Sequence, residues 1–386
     1  MADLHTKLSK TFTAFFESEK SSGLFLIACT LLSLSLANSV MGPAYLGLWQ
    51  TKLGGMSVEH WVNDALMAIF FLFVGLELER ELYSGELSNI KNALLPIVAA
   101  IGGIAVPALI HFSLNVGTPS QPGSGIPMAT DIAFALGALA LLGNRIPLSL
   151  KVFLTALAVM DDLGAIVVIA VFYSSQFSLS YLLAAVAVLG VLVIFNRVFR
   201  LMTLFPYLVG GVLMWFLMLK SGVHATLAGV LLAFAIPFSP WPEDRASPSH
   251  RLEHMLLKPV AFIILPIFAL ANTGIVISSG WQDSLLSANS LGIIIGLVCG
   301  KPLGITLLSA LAVAVGLCRL PADLKWSHIV GAGLLGGIGF TMSIFITNLA
   351  FAGQAELINA SKMAILLASL TAGLSGFLWL RFFARP

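Results

Sequence analysis

Charge is scarce in this sequence: only 10% of its 386 residues are Asp, Glu, Lys or Arg, where soluble domains carry ~25%. A compact water-soluble protein of this length could not cover its surface with so few ionised side chains. That shortage excludes an ordinary cytosolic enzyme, and the apolar bias excludes a disordered chain. The net charge is only +2, too small for a nucleic-acid footprint, so no nucleic acid is expected as a partner. Cysteine is equally sparse. Cys29, Cys299 and Cys318 are odd in number and lack metal spacing, which excludes a disulfide framework; they read as small packing residues in apolar runs. No Cys/His cluster offers a site for a softer metal, and no cofactor or structural metal is expected. What abounds is apolar: 58% AVILMFWYC, 35 glycines and a mean hydropathy of +0.98. The solvent for this chain is lipid.

A helix needs roughly 20 apolar residues to cross the hydrocarbon layer. Twelve segments qualify as candidates: 22–40, 60–80, 93–115, 126–142, 147–173, 180–196, 205–219, 222–237, 256–275, 289–314, 327–349 and 357–381. The 126–142 segment is short, and 205–237 also reads as one long helix with a break. Cytoplasmic loops hold the excess of Lys and Arg. With the N-terminus inside, the inner connections carry sixteen of the twenty cations and the outer ones only Lys52, Lys220 and Lys362. Lys301 falls inside a span. Both termini are therefore expected on the cytoplasmic side. The first span follows a long leading region with Glu17 and Glu19, so a retained helix behind an amphipathic segment is expected rather than a cleaved signal. No soluble domain is expected; residues 1–386 read as a single membrane domain. In the outer 41–59 connection, strand-like runs at Leu48–Leu53 and Met56–Val58 flank Gly54-Gly55. They read as a small hairpin or as a flexible loop; the edge of a hairpin would be free to pair with a second copy.

A charge at mid-membrane costs roughly 2.5–3.5 kcal/mol on insertion scales, so ionisable groups there are functional candidates. Asp64, Glu77, Asp131, Asp161, Asp162 and Lys301 are such groups, with Asp64 and Glu77 nearer the ends of their span. The Asp161-Asp162 pair stands about fourteen residues, or ~21 Å, into its helix, near the bilayer centre. Helix neighbours diverge by about 100°, so one carboxylate can face a water-filled cavity while the other meets a partner on an adjacent helix. Two close carboxylates in low dielectric resist simultaneous ionisation; one can hold a proton near neutral pH and release it when a cation arrives. Carboxylate, hydroxyl and carbonyl oxygens suit hard cations. Lys301 sits in Gly292-x3-Gly296-x3-Gly300-x3-Gly304, a ladder that lets another backbone approach closely. Its ammonium can pair with Asp161, either as a static ion pair or as a lysine neutralised and recharged in a transport cycle.

Two spans read as broken. Pro127-Met128-Ala129-Thr130-Asp131 interrupts one, where Thr130 and Asp131 can cap the restarted half-helix. Gly331 to Thr341 interrupts the other, with five glycines in nine residues, a costly composition for a continuous helix. Each break lies in the middle of a three-span set, 93–173 and 289–381. Matching interruptions point to an inverted repeat with two discontinuous crossing helices and a binding site between them. Asp131 can offset the positive half-helix ends there and Lys301 the negative ones.

The motifs Ala129-Thr130-Asp131-Ile132-Ala133-Phe134-Ala135-Leu136-Gly137, Asp161-Asp162-Leu163-Gly164-Ala165, Lys220 to Gly229, Gly300-Lys301-Pro302-Leu303-Gly304 and Gly337-Ile338-Gly339-Phe340-Thr341-Met342-Ser343 together resemble the NhaA family of bacterial sodium/proton antiporters, over nearly the whole chain. The family is itself a known inverted-repeat example. The resemblance implies sodium or lithium leaving the cytoplasm against entering protons, across the bacterial inner membrane. By motif position it implies Asp162 as main cation ligand and proton carrier, Asp161 as its partner tied to Lys301 in the cation-free state, Thr130 beside the ion, and Asp131 compensating charge at the crossed helices. It further implies activity mainly at alkaline pH and a homodimer; if both Asp162 and the Asp161–Lys301 pair release a proton per cation, the expected exchange is electrogenic. A pH-responsive cluster would map to Glu77, Arg80, Glu81 and Glu253, and a pH-related histidine to His224. After Arg251-Leu252-Glu253-His254 the family pattern has a further histidine three positions on, where this chain has Leu257-Lys258. The outer 41–59 loop is also shorter than in some relatives.

Two rival classes are weaker. Gly373-Leu374-Ser375-Gly376 matches a GxSG pattern, with His224 at another span's start, but an intramembrane protease leaves the buried acids and Lys301 unexplained. A passive cation channel can use acidic rings, yet a central Lys301 opposes conduction. An exchanger differs from a channel by obligatory coupling to protons.

Overall fold

The computed structural model describes residues 21–173, 178–239, 247–277 and 280–384. The leading amphipathic segment, Arg245 and Arg385 lie outside them. Nearly every described element is a helix. All twelve apolar segments fall on helices. Eight form helices long and apolar enough to cross a membrane: Val58–Tyr83, Asn92–Asn115, Gln121–Leu141, Leu148–Phe172, Leu179–Arg197, Pro248–Asn272, Ala288–Ala314 and Ala355–Phe382; counting each bent helix pair as one span raises the number to ten. The 222–237 segment departs from expectation. Its helix is only Leu227–Ala235, because a turn through His224 and Thr226 precedes it and extended backbone at Ile236, ahead of Pro237, ends it. Large apolar side chains are turned outward in numbers no aqueous surface tolerates, among them Leu183, Val186, Val209, Val212, Leu307 and Leu370. Outside faces lipid in this multi-pass membrane protein.

The described chain divides into two compact units. One comprises residues of 1–38, 94–161 and 275–386; the other comprises 39–93 and 162–274. In the first, helix Ile90–Asn115, which enters it at Leu94, packs along helix Ala288–Ala314 through the glycine ladder. A Cβ at Gly304 would lie 2.1 Å from the Gly102 carbonyl oxygen, and one at Gly300 would lie 3.1 Å from Pro107 Cα. Only glycine lets the two backbones come this close. Gly296–Gly300 is a π-helical turn in which the Lys301 amide donates to the Gly296 carbonyl. Pro302 accounts for it: a proline cannot donate to the carbonyl four residues back, so the preceding turn widens. Val260–Ile264, just before Leu265-Pro266, is a second example. These widened turns were not foreseen.

Both interruptions are present. Ala129 and Asp131 have extended backbone between the 3-10 segment Gln121–Met128 and helix Ile132–Leu141. Helices Trp326–Gly336 and Phe340–Ala350 meet at a 46° bend across Gly337-Ile338-Gly339. The hairpin exists but is shorter than expected. Leu48–Gln50 end helix Gly42–Gln50 rather than forming strand, with Pro43 setting the helix start. Strands β1 (Lys52–Leu53) and β2 (Met56–Ser57) pair antiparallel, and Gly54 (φ +61°) and Gly55 (φ +92°) occupy the left-handed region that a tight hairpin turn demands. Cys29 and Cys318 are buried as expected. Cys299, which lies within the π turn, is exposed.

Candidate functional site

The first unit crosses its two interrupted helices at one point and ties them there. The Asp131 amide donates to the Ile338 carbonyl at 2.6 Å. Its carboxylate then accepts from both restarted helices: Oδ1 from the Phe134 amide at 3.1 Å, Oδ2 from the Thr341 amide at 3.1 Å and the Thr341 hydroxyl at 2.5 Å. The first half-helix has Asp131 as its own N-cap. The second begins at Gly339, which has no side chain to cap with, so Asp131 supplies that acceptor from across the crossing and Ser369 Oγ serves the Phe340 amide at 3.2 Å. One carboxylate thus satisfies donors at two helix N-termini, where negative charge is favoured. Ser343 Oγ, donating to the Ile126 carbonyl at 2.7 Å, adds a further tie.

Beside the crossing is a dry ion pair. Lys301 Nζ lies 2.8 Å from Asp161 Oδ2, and neither side chain has exposed surface. Lys301 also donates to the Met128 carbonyl, at the C-terminal end of the 121–128 segment. Thr130 Oγ1 is 2.6 Å from Asp161 Oδ2 and 2.9 Å from the Gly336 carbonyl oxygen; with one proton, it can donate to only one of them at a time. Asp161 Oδ2 has both the lysine and the threonine within hydrogen-bond distance. Its Oδ1 accepts no hydrogen bond among the described residues and faces Gly103, where a Cβ would stand 3.8 Å away. Gly336 forms another wall: a Cβ there would approach Thr130 Oγ1 to 3.7 Å and Lys301 Cε to 3.8 Å. Asp162 follows on the same helix, 3% exposed, about 100° further round its axis. The Asp161 carboxylate, the Thr130 hydroxyl and the Met128 and Gly336 carbonyls are oxygen groups of the kind that suit a hard cation rather than a soft one.

Four of the expected pH-responsive residues also come together, in the second unit. Arg80 reaches Glu253 (Nε–Oε1, 2.8 Å), Glu81 (2.9 Å) and Glu77 (3.8 Å), joining helices Val58–Tyr83 and Pro248–Asn272. His250 stands 3.8 Å from Glu253. Sequence reading passed over one member of this neighbourhood: Glu79, 4% exposed, accepts from Ser249 Oγ at 3.0 Å. Its place between Glu77 and Arg80 was the available signal; the Ser249 contact had none. His224 is separate from the cluster. Its Nε2 lies 2.7 Å from the Tyr173 carbonyl, which only accepts, so that nitrogen carries the proton. Asp64 Oδ2 pairs with His60 Nε2 at 2.8 Å. Ser375, of the GxSG pattern, donates to the Ala372 carbonyl of its own helix at 3.0 Å, and a Cβ at Gly376 would meet Leu335 at 2.8 Å; both serve packing.

Interrupted helices crossing beside a buried acid–base pair, in an all-helical membrane protein, define an ion-coupled secondary transporter. The family model described as Na+/H+ antiporter 1 matches residues 13–380. Among curated relatives, the Na(+)/H(+) antiporter NhaA of Dechloromonas aromatica is 76% identical over 385 residues, covering 100% of this chain and 99% of that protein. The NhaA of Cytophaga hutchinsonii is 60% identical over 97% of this chain and 96% of its own length. NhaA 1 of Flavobacterium johnsoniae is 58% identical, with 97% and 98% covered. The chain belongs to the NhaA family of sodium/proton antiporters.

Proposed function

We propose that the chain carries sodium, and lithium in its place, out of the cytoplasm across the bacterial inner membrane in exchange for entering protons, with both termini cytoplasmic. The observation that carries this reading is the buried Asp161–Lys301 pair, with Thr130 sharing Asp161 Oδ2 and Asp162 next on the helix. In the cation-free state Asp161 is neutralised by Lys301 and Asp162 holds a proton. An arriving cation takes Asp162 as its main ligand, with Asp161 and Thr130 beside it. The proton leaves Asp162, and Asp161 gives up its bond to Lys301. Because cation and protons compete for the same carboxylates, one cannot be carried without displacing the other. The loaded and proton-loaded forms then exchange between inward and outward access by rearrangement about the interrupted helices. Asp131 and Lys301 keep the partial charges of the half-helix ends compensated throughout.

The three-span sets 93–173 and 289–381 read as inverted repeats, supported by an interruption in the middle of each. If the Asp161–Lys301 pair also gives up a proton when it opens, two protons leave for each cation and the exchange moves net charge. Activation at alkaline pH is supported by the ionic cluster of Arg80 with Glu77, Glu81 and Glu253, which joins two helices through charged groups; His224 is a further candidate, and Asp64 a supporting residue. A homodimer through the β1–β2 edge is supported by Leu53, which is 65% exposed at the hairpin.

The test is internal pH in proteoliposomes at alkaline pH after sodium is added outside. Wild type should alkalinise the lumen in a sodium-dependent way, and Asp162→Asn should not. Sodium entry without proton movement would replace exchange by a channel. Normal exchange by Asp162→Asn would leave the class standing and move the cation site elsewhere.

A further inference from the structure

Arg145 and Arg381 come from distant parts of the sequence, yet they line one pocket of about 260 Å³ together with Leu141, Leu142 and Phe377. Both are exposed, and both belong to the first unit. Arg145 closes the short turn after helix Ile132–Leu141, and Arg381 lies in the last turn of helix Ala355–Phe382. Among the described residues, no carboxylate stands within ion-pair distance of either guanidinium. Two like charges held on one pocket without a counter-charge are unfavourable unless something anionic joins them. Both sit at the ends of apolar helices, at the depth of lipid headgroups.

What surrounds the pocket is apolar and turned outward. Leu367, Leu370, Leu374 and Leu378 are 44–61% exposed and recur at helical spacing along one face of Ala355–Phe382, running up to Arg381. Leu141, at the pocket rim, is 61% exposed. The stripe from Leu367 to Leu378 extends about 16 Å along the helix, comparable to most of an acyl chain within one leaflet. A free inorganic anion has no use for that stripe, whereas a lipid uses charge and stripe together. Guanidinium groups favour phosphate because their planar fork offers paired donors to its oxygens, and basic pockets between membrane helices suit anionic headgroups.

We propose that Arg145 and Arg381 form a binding site for the phosphate of an anionic glycerophospholipid, with an acyl chain laid along the Leu367–Leu378 stripe. The lipid bridges the turn after the first interrupted span to the last helix of the same unit.

The experiment is native mass spectrometry of the purified full chain after mild delipidation, with phosphatidylglycerol or phosphatidylcholine added back. Wild type should retain phosphatidylglycerol over phosphatidylcholine. Arg145→Gln and Arg381→Gln should each weaken that retention about fivefold, the effect of one basic residue at an anionic surface, and the double variant more. Arg319→Gln, an exposed arginine on another connection, should leave retention unchanged and so separates this site from general surface charge. Equal retention of both lipids by wild type, or unchanged retention by the double variant, would overturn the site. Displacement of phosphatidylglycerol by excess inorganic phosphate would do the same, showing that the acyl stripe contributes nothing. None of these residues belongs to the Asp161–Lys301 site, so the outcome is independent of whether exchange is sodium-coupled.

Discussion

Lys301 and Asp161 hold opposite charges 2.8 Å apart with no exposed surface on either, and removing one alone has a cost that removing both does not. A buried pair stripped of one partner destabilises by about 3–5 kcal/mol, whereas replacing both members with apolar groups is often neutral. Lys301→Met should therefore lower the thermal midpoint in detergent sharply, and Asp161→Leu combined with Lys301→Met should recover most of it. Neither variant should exchange sodium for protons in proteoliposomes. Full recovery of stability without recovery of exchange separates the transport role of the pair from its structural one. Asp131 is a different kind of residue, since its carboxylate satisfies donors on two helices at once. Asp131→Ala should cost about 2 kcal/mol or more through a lost cap and stranded buried donors. Asp131→Asn, which keeps one acceptor oxygen, should fall between, as read from thermal melts of the two variants.

At the scale of elements, the glycine ladder sets how closely two helices approach. Gly304→Ala places a Cβ 2.1 Å from the Gly102 carbonyl oxygen, a backbone atom that no rotamer change can move aside. The helices must separate, at a cost of about 1–3 kcal/mol, and Lys301, one turn earlier, moves with them. The variant should melt lower and exchange more slowly; an unchanged melt would show the helix pair to be loosely packed. The ladder, the two interruptions and the hairpin glycines were legible in sequence, because glycine and proline act on their own few residues of backbone. The π turns were less so, since a Lys-Pro or Leu-Pro step weakens a helix without announcing how the turn before it relaxes. Helix Gly42–Gln50 was missed in part because Leu48-Trp49-Gln50 is too short a run for periodicity to separate strand from helix. Glu79 was missed because its partner, Ser249, lies 170 residues away.

At the scale of the molecule, two measurements bear on the proposed cycle and assembly. If exchange moves net charge, a potential builds in sealed proteoliposomes and opposes it. Clamping that potential with potassium and valinomycin should then accelerate exchange, and an unchanged rate would mean the proton and sodium charges balance. Deleting Lys52–Ser57 should shift the protein towards monomer in light scattering while leaving exchange measurable; a persistent dimer would place the interface elsewhere.

Composition alone decided that lipid is the solvent, because 10% charge cannot clothe a soluble body of this size. It also singled out the candidate residues, because an ionised group in an apolar span is costly to retain. Periodicity and glycine content located the helices and their interruptions, as both act over a few neighbouring residues. Packing alone decided the rest. Which acid meets Lys301, which carbonyls accept from Lys301 and Thr130, and which carboxylate caps a helix begun more than 200 residues later depend on contacts between distant segments. Backbone carbonyls are the same at every position, so no sequence signal marks the ones that a fold turns towards a buried lysine or threonine.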